Sequence, residues 1–328
     1  MAEFVLIVLL LSLVTYAVLG GADFGAGMIE PFVGGQASVD VALAPVWEAN
    51  HVWLVLAVVL MFVGFPEFYA LASTHLHLPL LGVLLGIIAR GTAFTFRHYD
   101  PEPGALEVWY TWVFRAASVL TPLCLGLSLA ATAAGRFPDD PQAGFYAIFV
   151  APWNTAFGWA TGVFVCALFA FEGAALFSAE HALQGLPLPY ANLARVTHVL
   201  SLVCGAGVFF TAYVQRLTWF SELLHSAWAL GALAMATLLI PVVAHAFDRG
   251  RPWLLRFAMG AQVGCVLLGF VAGQFPVLMR RPAGDLTYQA AAAPDATLRA
   301  LIWALVVGLA LILPALLYLI RVYKQRAA

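Results

Sequence analysis

The sequence predicts an all-α integral membrane protein, a single transmembrane domain over residues 1–328 with about nine helices bundled together. Three observations carry that prediction. Of the 328 residues, 63% are hydrophobic and 10% charged, with a mean hydropathy of +0.93. Nine apolar runs each approach the roughly 20 residues that a helix needs to span a bilayer. The breaks between them are rich in Pro, Gly or charge, as connecting loops are.

The first run, residues 3–22, opens with "MAEFVLIVLLLSLVTYAVLG", which holds Glu3 but no Lys or Arg and no cleavage site. It reads as a retained first helix, not a signal peptide. A cytoplasmic loop over residues 23–45, containing "EPFVGGQASVD", leads to the second run at 46–65. "FPEF" separates this from 70–90, and "RHYDPEPGALE" separates 70–90 from 107–133. "GRFPDDPQAG" precedes 153–177, and "SAEHALQGLPLP" precedes 191–215. Runs at 222–246 and 253–279 flank "FDRGRPW", and "RRPAGDLTYQAAAAPD" introduces the last, 298–321. Loops on the C-terminal side carry Arg90, Arg97, Arg195, Arg249, Arg251, Arg256, Arg321, Lys324 and Arg326. The opposite side carries Arg136, Arg216, Arg280, Arg281 and Arg299. This excess of basic residues places the N-terminus outside and the C-terminus in the cytoplasm.

Composition also excludes several functions. A formal net charge of -2 argues neither for nucleic acid nor for a strongly anionic partner. Cys124, Cys166, Cys204 and Cys265 lie singly within apolar runs, so they read as small buried hydrophobes and not as a disulfide framework or zinc site. The histidines offer no ligand pair: His75 and His77 are two apart and do not share a helix face, while His51, His198, His225 and His245 occur singly. Any redox cofactor is therefore expected in another subunit.

Polar groups at membrane depth carry most of the functional information, because each costs several kcal/mol unless paired, hydrated or neutralised. Asp23 follows "LGGA" at the inner end of the first run, and Glu48 opens the second beside Asn50 and His51 in "APVWEANHVWL". A carboxyl shielded from water can take up and release protons near neutral pH, and the amide and imidazole can relay them or anchor water. The plainer reading makes Glu48 a helix N-cap and Asp23 a solvated loop residue. Glycines 20, 21, 25 and 27 around Asp23 suit close helix contact or a tight turn, and Trp47 and Trp53 lie on different sides of the second helix. Arg115 and Glu172 are the other charges well inside apolar segments, and their matching depth makes a buried ion pair geometrically feasible. Otherwise Arg115 snorkels to headgroups or meets an anion on a partner, while Arg90 and Arg97 read as positive-inside anchors.

In order along the chain, "GGADFGAGM", "APVWEANHVWL", "FPEFYA", "IIARGTAFTFRH", "GFVAGQFPVLM" and the final apolar stretch resemble subunit II of the cytochrome bd quinol oxidases, from residue 1 to about 325. The resemblance implies nine spans and no haem in this chain. It implies a partner, subunit I, that binds two b haems, haem d and the quinol. The assembled enzyme would oxidise quinol and reduce dioxygen to water with protons from the cytoplasm. It also implies a multi-pass protein of a bacterial-type cytoplasmic membrane. Membrane lipids, small single-helix accessory subunits and a structural quinone or lipid come as further companions.

Matched position by position, the family's usual Asp in the tryptophan motif falls on Glu48, which keeps an ionisable group. The second acid of its first motif falls on Asp23, whereas the earlier one is Gly20 here. Trp53 matches a tryptophan that borders a hydrophobic path for oxygen in some members. Arg115 and Glu172 receive no family role. The competing reading is a stand-alone secondary transporter or channel in which Asp23, Glu48, Arg115 and Glu172 bind a substrate or coupling ion.

Overall fold

The structure, a computed structural model, describes residues 1–33, 36–99, 105–138, 140, 142–183 and 190–326; within these, side chains at 36–49, 98–99, 105, 181, 313 and 315–326 are not described. The helices in chain order are α1 (Ala2–Ile29), α2 (Gln36–Gly64), α3 (Pro66–His75), α4 (His77–Tyr99), α5 (Ala105–Ala134) and α6 (Phe145–Phe149). They continue with α7 (Ala156–Leu183), α8 (Ala191–Val214), α9 (Thr218–His225), α10 (Ala227–Asp248), α11 (Pro252–Ala272) and α12 (Asp295–Arg326). Among the described residues, eight helices are long and apolar enough to cross a membrane. A ninth is counted if Asn50–Gly64 and Pro66–His75, bent by 113°, form one span.

α1 occupies the centre, packed against α2, α5, α7 and α11, while α4 with α5, α7 with α8, and α10 with α11 lie side by side as successive hairpins. The tightest seam joins α1 to α7. A Cβ at Gly25 would collide with the Phe169 carbonyl, and one at Gly173 would collide with the Gly25 backbone. Only glycine on both helices allows this approach. The outward faces of α1, α2 and α4 present Leu11, Val55, Phe62 and Leu85, apolar surface of the kind that lipid or a membrane partner covers.

Several boundaries differ from the hydropathy pattern. α1 continues through the glycines to Ile29 and α2 begins at Gln36, so most of the expected loop over 23–45 is helical. Contact with α7 holds the glycine-rich turns helical despite their weak propensity. The expected span 70–90 is broken at Leu76 into α3 and α4, and 222–246 is broken at Ser226, whose hydroxyl caps α10 by accepting from the Ala229 amide at 3.3 Å. The expected span 253–279 ends at Ala272, short of Pro276, which has no N–H to continue a helix. A small hairpin follows, β1 (Val277–Met279) antiparallel to β2 (Leu286–Thr287). Arg280 fastens it to the end of α5 through its amide to the Thr132 carbonyl (2.9 Å). Ion pairs of Arg280 with Asp285 (3.1 Å) and Glu222 complete this clasp.

Candidate functional site

The polar centre of the bundle is a ladder of two acids, Asp23 in α1 and Glu30 just past its end, facing arginines on α4. Asp23, 1% exposed, accepts from Arg90 at both carboxylate oxygens, Nη1 to Oδ2 at 2.8 Å and Nη2 to Oδ1 at 2.9 Å. Nη2 also donates to the Asp23 carbonyl (2.7 Å), and Nε donates to the Ser118 hydroxyl (3.1 Å) on α5. This fork-to-fork geometry is the arrangement that a guanidinium and a carboxylate favour. The guanidinium lies over the rings of Phe24 (4.9 Å) and Phe114 (4.6 Å), which adds cation–π attraction in place of lost water.

Two turns further along each helix comes a second rung. Glu30, at the end of α1 and 1% exposed, accepts from Arg97 at 2.7 Å. Its other oxygen accepts from Arg115 of α5, Nη2 at 3.0 Å and Nε at 3.2 Å. Arg97 in turn lies 4.3 Å over the other arginine's ring partner, Phe114. Among the described residues, two carboxylates and three guanidinium groups meet here; at the open edge the Arg115 side chain is 28% exposed while its partner acid is fully enclosed.

The residues singled out from the sequence fall into place unevenly. Asp23 is no solvated loop residue: it lies inside α1, locked by Arg90. The Glu48 side chain lies outside the described residues; α2 starts well before it, so position 48 is in the helix interior and not at an N-cap. Asn50, 1% exposed, packs on Gly20, where a Cβ would stand 3.0 Å from its amide. His51 is half-buried. Trp53 is half-buried against the aromatic cluster of Tyr16, Phe24 and Phe169.

The Arg115–Glu172 pair does not form. Arg115 turns to Glu30, and both Glu172 oxygens lack a hydrogen-bond partner in the described structure. The two side chains reach different levels of the bundle, Glu172 lying against Gly21 and Arg115 against Glu30 at the end of α1. Arg90 and Arg97 are correspondingly not headgroup anchors, since both are buried in ion pairs. Sequence reasoning missed Glu30 altogether. A signal was present: Asp23 and Glu30 are seven apart, as are Arg90 and Arg97, and a spacing of seven puts both members on one helix face. Matching spacings of opposite charge on two spans mark a pairable ladder.

Among the described residues no three His, Cys, Asp or Glu side chains converge as a metal site. The buried His198 ring stacks on Phe171 at 4.2 Å, in an aromatic contact.

Comparison with known proteins gives consistent results. Residues 1–323 match the family described as cytochrome bd terminal oxidase subunit II. Cytochrome bd-I ubiquinol oxidase subunit 2 of Escherichia coli K12 is 25% identical over 339 residues, covering 92% of this chain and 88% of that one. Cytochrome bd ubiquinol oxidase subunit 2 of Bacillus subtilis is 34% identical over 113 residues, 33% of each chain. In three dimensions the chain resembles one from the bd oxidase of Geobacillus thermodenitrificans, with a TM-score of 0.80 over 98% of both chains at 20% identity.

Proposed function

Because the chain belongs to the cytochrome bd terminal oxidase subunit II family, we propose that it is the haem-free membrane subunit of a quinol-oxidising, dioxygen-reducing complex. The observation that carries the reading is the family match over nearly the whole length, on a bundle whose outward faces are apolar. In this role the chain stabilises a haem-bearing subunit I, which holds two b haems, haem d and the quinol site, and it is inactive alone. It resides in a bacterial cytoplasmic membrane as one transmembrane unit, N-terminus outside, with lipids and small single-helix subunits as further neighbours.

The chain also contributes to cytoplasmic proton uptake. In that orientation the stretches of α1 and α2 that carry Asp23, Glu48, Asn50 and His51 lie toward the inner boundary. Asp23, held by Arg90, shapes the route more than it carries charge, since releasing it from three hydrogen bonds is expensive. Glu48, Asn50 and His51 then do the transfer. Trp53, half-buried among aromatic rings, borders an apolar route for oxygen, a molecule that prefers hydrocarbon to water.

A cavity of about 480 Å³ among α1, α5, α7, α8, α10 and α11 is lined almost wholly by apolar side chains, including Leu125, Phe164, Phe209 and Phe270, with Tyr16 and Gln262 as polar points. Its volume and lining suit a structural quinone tail or lipid chain. Of the four residues that the transporter alternative relies on, Asp23 and Arg115 are already engaged by Arg90 and Glu30.

The test is purification through a tag on this chain. A partner carrying b and d haem bands, with quinol-dependent oxygen uptake on the same sample, is the expected result. A colourless homo-oligomer would overturn the reading.

A further inference from the structure

Glu172 is the one fully buried carboxyl among the described residues without a cation. It is 0% exposed, and neither oxygen has a hydrogen-bond partner. It reaches from α7 onto the bare backbone of Gly21 on α1, where a Cβ would collide with Oε2. Phe169, one turn earlier on α7, packs beside it against the same glycine and against Tyr16. Two more buried polar atoms around this turn of α1 also lack protein partners: the Tyr16 hydroxyl and the Asn50 carbonyl, the latter seated on Gly20. Buried polar atoms are nearly always satisfied, so these orphans along the Tyr16–Gly21 stretch of α1 point to ordered water as the missing partner.

We infer that Glu172 is a proton-relay acid at the inner end of a hydrated polar pocket bounded by Tyr16, Asn50, Gly20 and Gly21. An unpaired carboxylate in this position would carry an uncompensated charge inside the bundle, a penalty of several kcal/mol, so the group rests as the neutral acid. A neutral carboxyl has one O–H to donate and one carbonyl oxygen to accept. It can bind a proton from a hydronium on one side and release its own to a water on the other. The carboxyl ends neutral, and one proton has advanced.

Asp23 and Glu30 are unsuited to this step because their oxygens are bonded to Arg90, Arg97 and Arg115. The glycines give the pocket its room, since any side chain at position 21 would fill the place of the carboxyl. This inference rests on the proposed role in proton uptake and extends it from the membrane boundary into the bundle.

The experiment compares the wild-type complex with Glu172→Gln and Glu172→Asp, purified through this chain with haem content measured. Infrared difference spectra between oxidised and reduced enzyme should show a protonated-carboxyl C=O band that shifts in deuterated water. It should be absent from Glu172→Gln and displaced in Glu172→Asp. Quinol-driven oxygen uptake should fall several-fold in Glu172→Gln at unchanged haem content and recover in part in Glu172→Asp. Should Glu172→Gln not assemble, displacement of the band in Glu172→Asp is the deciding reading, and an unmoved band overturns the inference. Wild-type turnover in an assembled Glu172→Gln also overturns it, whatever the spectra show, as does slowed turnover with the band intact. Glu48→Gln in the same assay separates the two claims. If it is slow while Glu172→Gln is normal, only the relay falls; if both are normal, the chain has no part in proton uptake.

Discussion

Replacing Arg90 with Leu removes the donor of three hydrogen bonds to Asp23 and one to Ser118. The Asp23 carboxylate then remains in a site 1% exposed with no cation. Stranding one member of such a pair costs about 3–5 kcal/mol, equivalent to roughly two to four orders of magnitude in a folding or assembly equilibrium. Asp23→Leu strands Arg90 instead and should cost a similar amount. The double variant Asp23→Leu with Arg90→Leu strands nothing and keeps the volume apolar, so it should be more stable than either single variant. Retention of haem absorbance during heating of the detergent-solubilised complex provides the assay, with all four forms compared at one protein concentration. If the two single losses simply add in the double variant, Asp23 and Arg90 are energetically independent and the ladder has no role in holding the bundle.

The second rung should respond asymmetrically. Arg97→Leu removes a fully enclosed cation and should cost several kcal/mol, whereas Arg115→Leu leaves Glu30 paired to Arg97 and should cost about 1 kcal/mol; the same heating assay checks the order. Gly173→Ala places a methyl on the Gly25 backbone and should lower the yield of assembled complex sharply, read as haem per tagged chain. Glu48→Gln should slow quinol-driven oxygen uptake with haem content intact, and unchanged turnover across pH would remove Glu48 from proton uptake.

Hydropathy made the long helices legible because a spanning helix must be apolar nearly throughout, whatever its neighbours. Their ends were less legible. A window average does not register the single residue Leu76 or Ser226 at which a run breaks, and it continues past Ala272 because the hairpin that follows is apolar too. Asp23 was found as a membrane-depth acid, but its glycine neighbours suited either close helix contact or a tight turn, and only contact with α7 reveals why they stay helical. The failed Arg115–Glu172 pairing has a more general cause. Position along a span is counted only as well as the helix ends are placed, and the direction in which a side chain points around the axis depends on neighbours. The seven-residue spacings of Asp23 with Glu30 and Arg90 with Arg97 escape this difficulty, because each fixes a relative direction within its own helix.

The glycine seam between α1 and α7 has a mechanical consequence. Two helices in backbone contact have no soft side-chain layer along which to slide, and the arginine rungs tie the same helix to α4 and α5. α1 is therefore a fixed post, unable to rock as the moving wall of an alternating-access device must. Motion within this chain is thereby left to side-chain rotation and to the helices that do not share that seam.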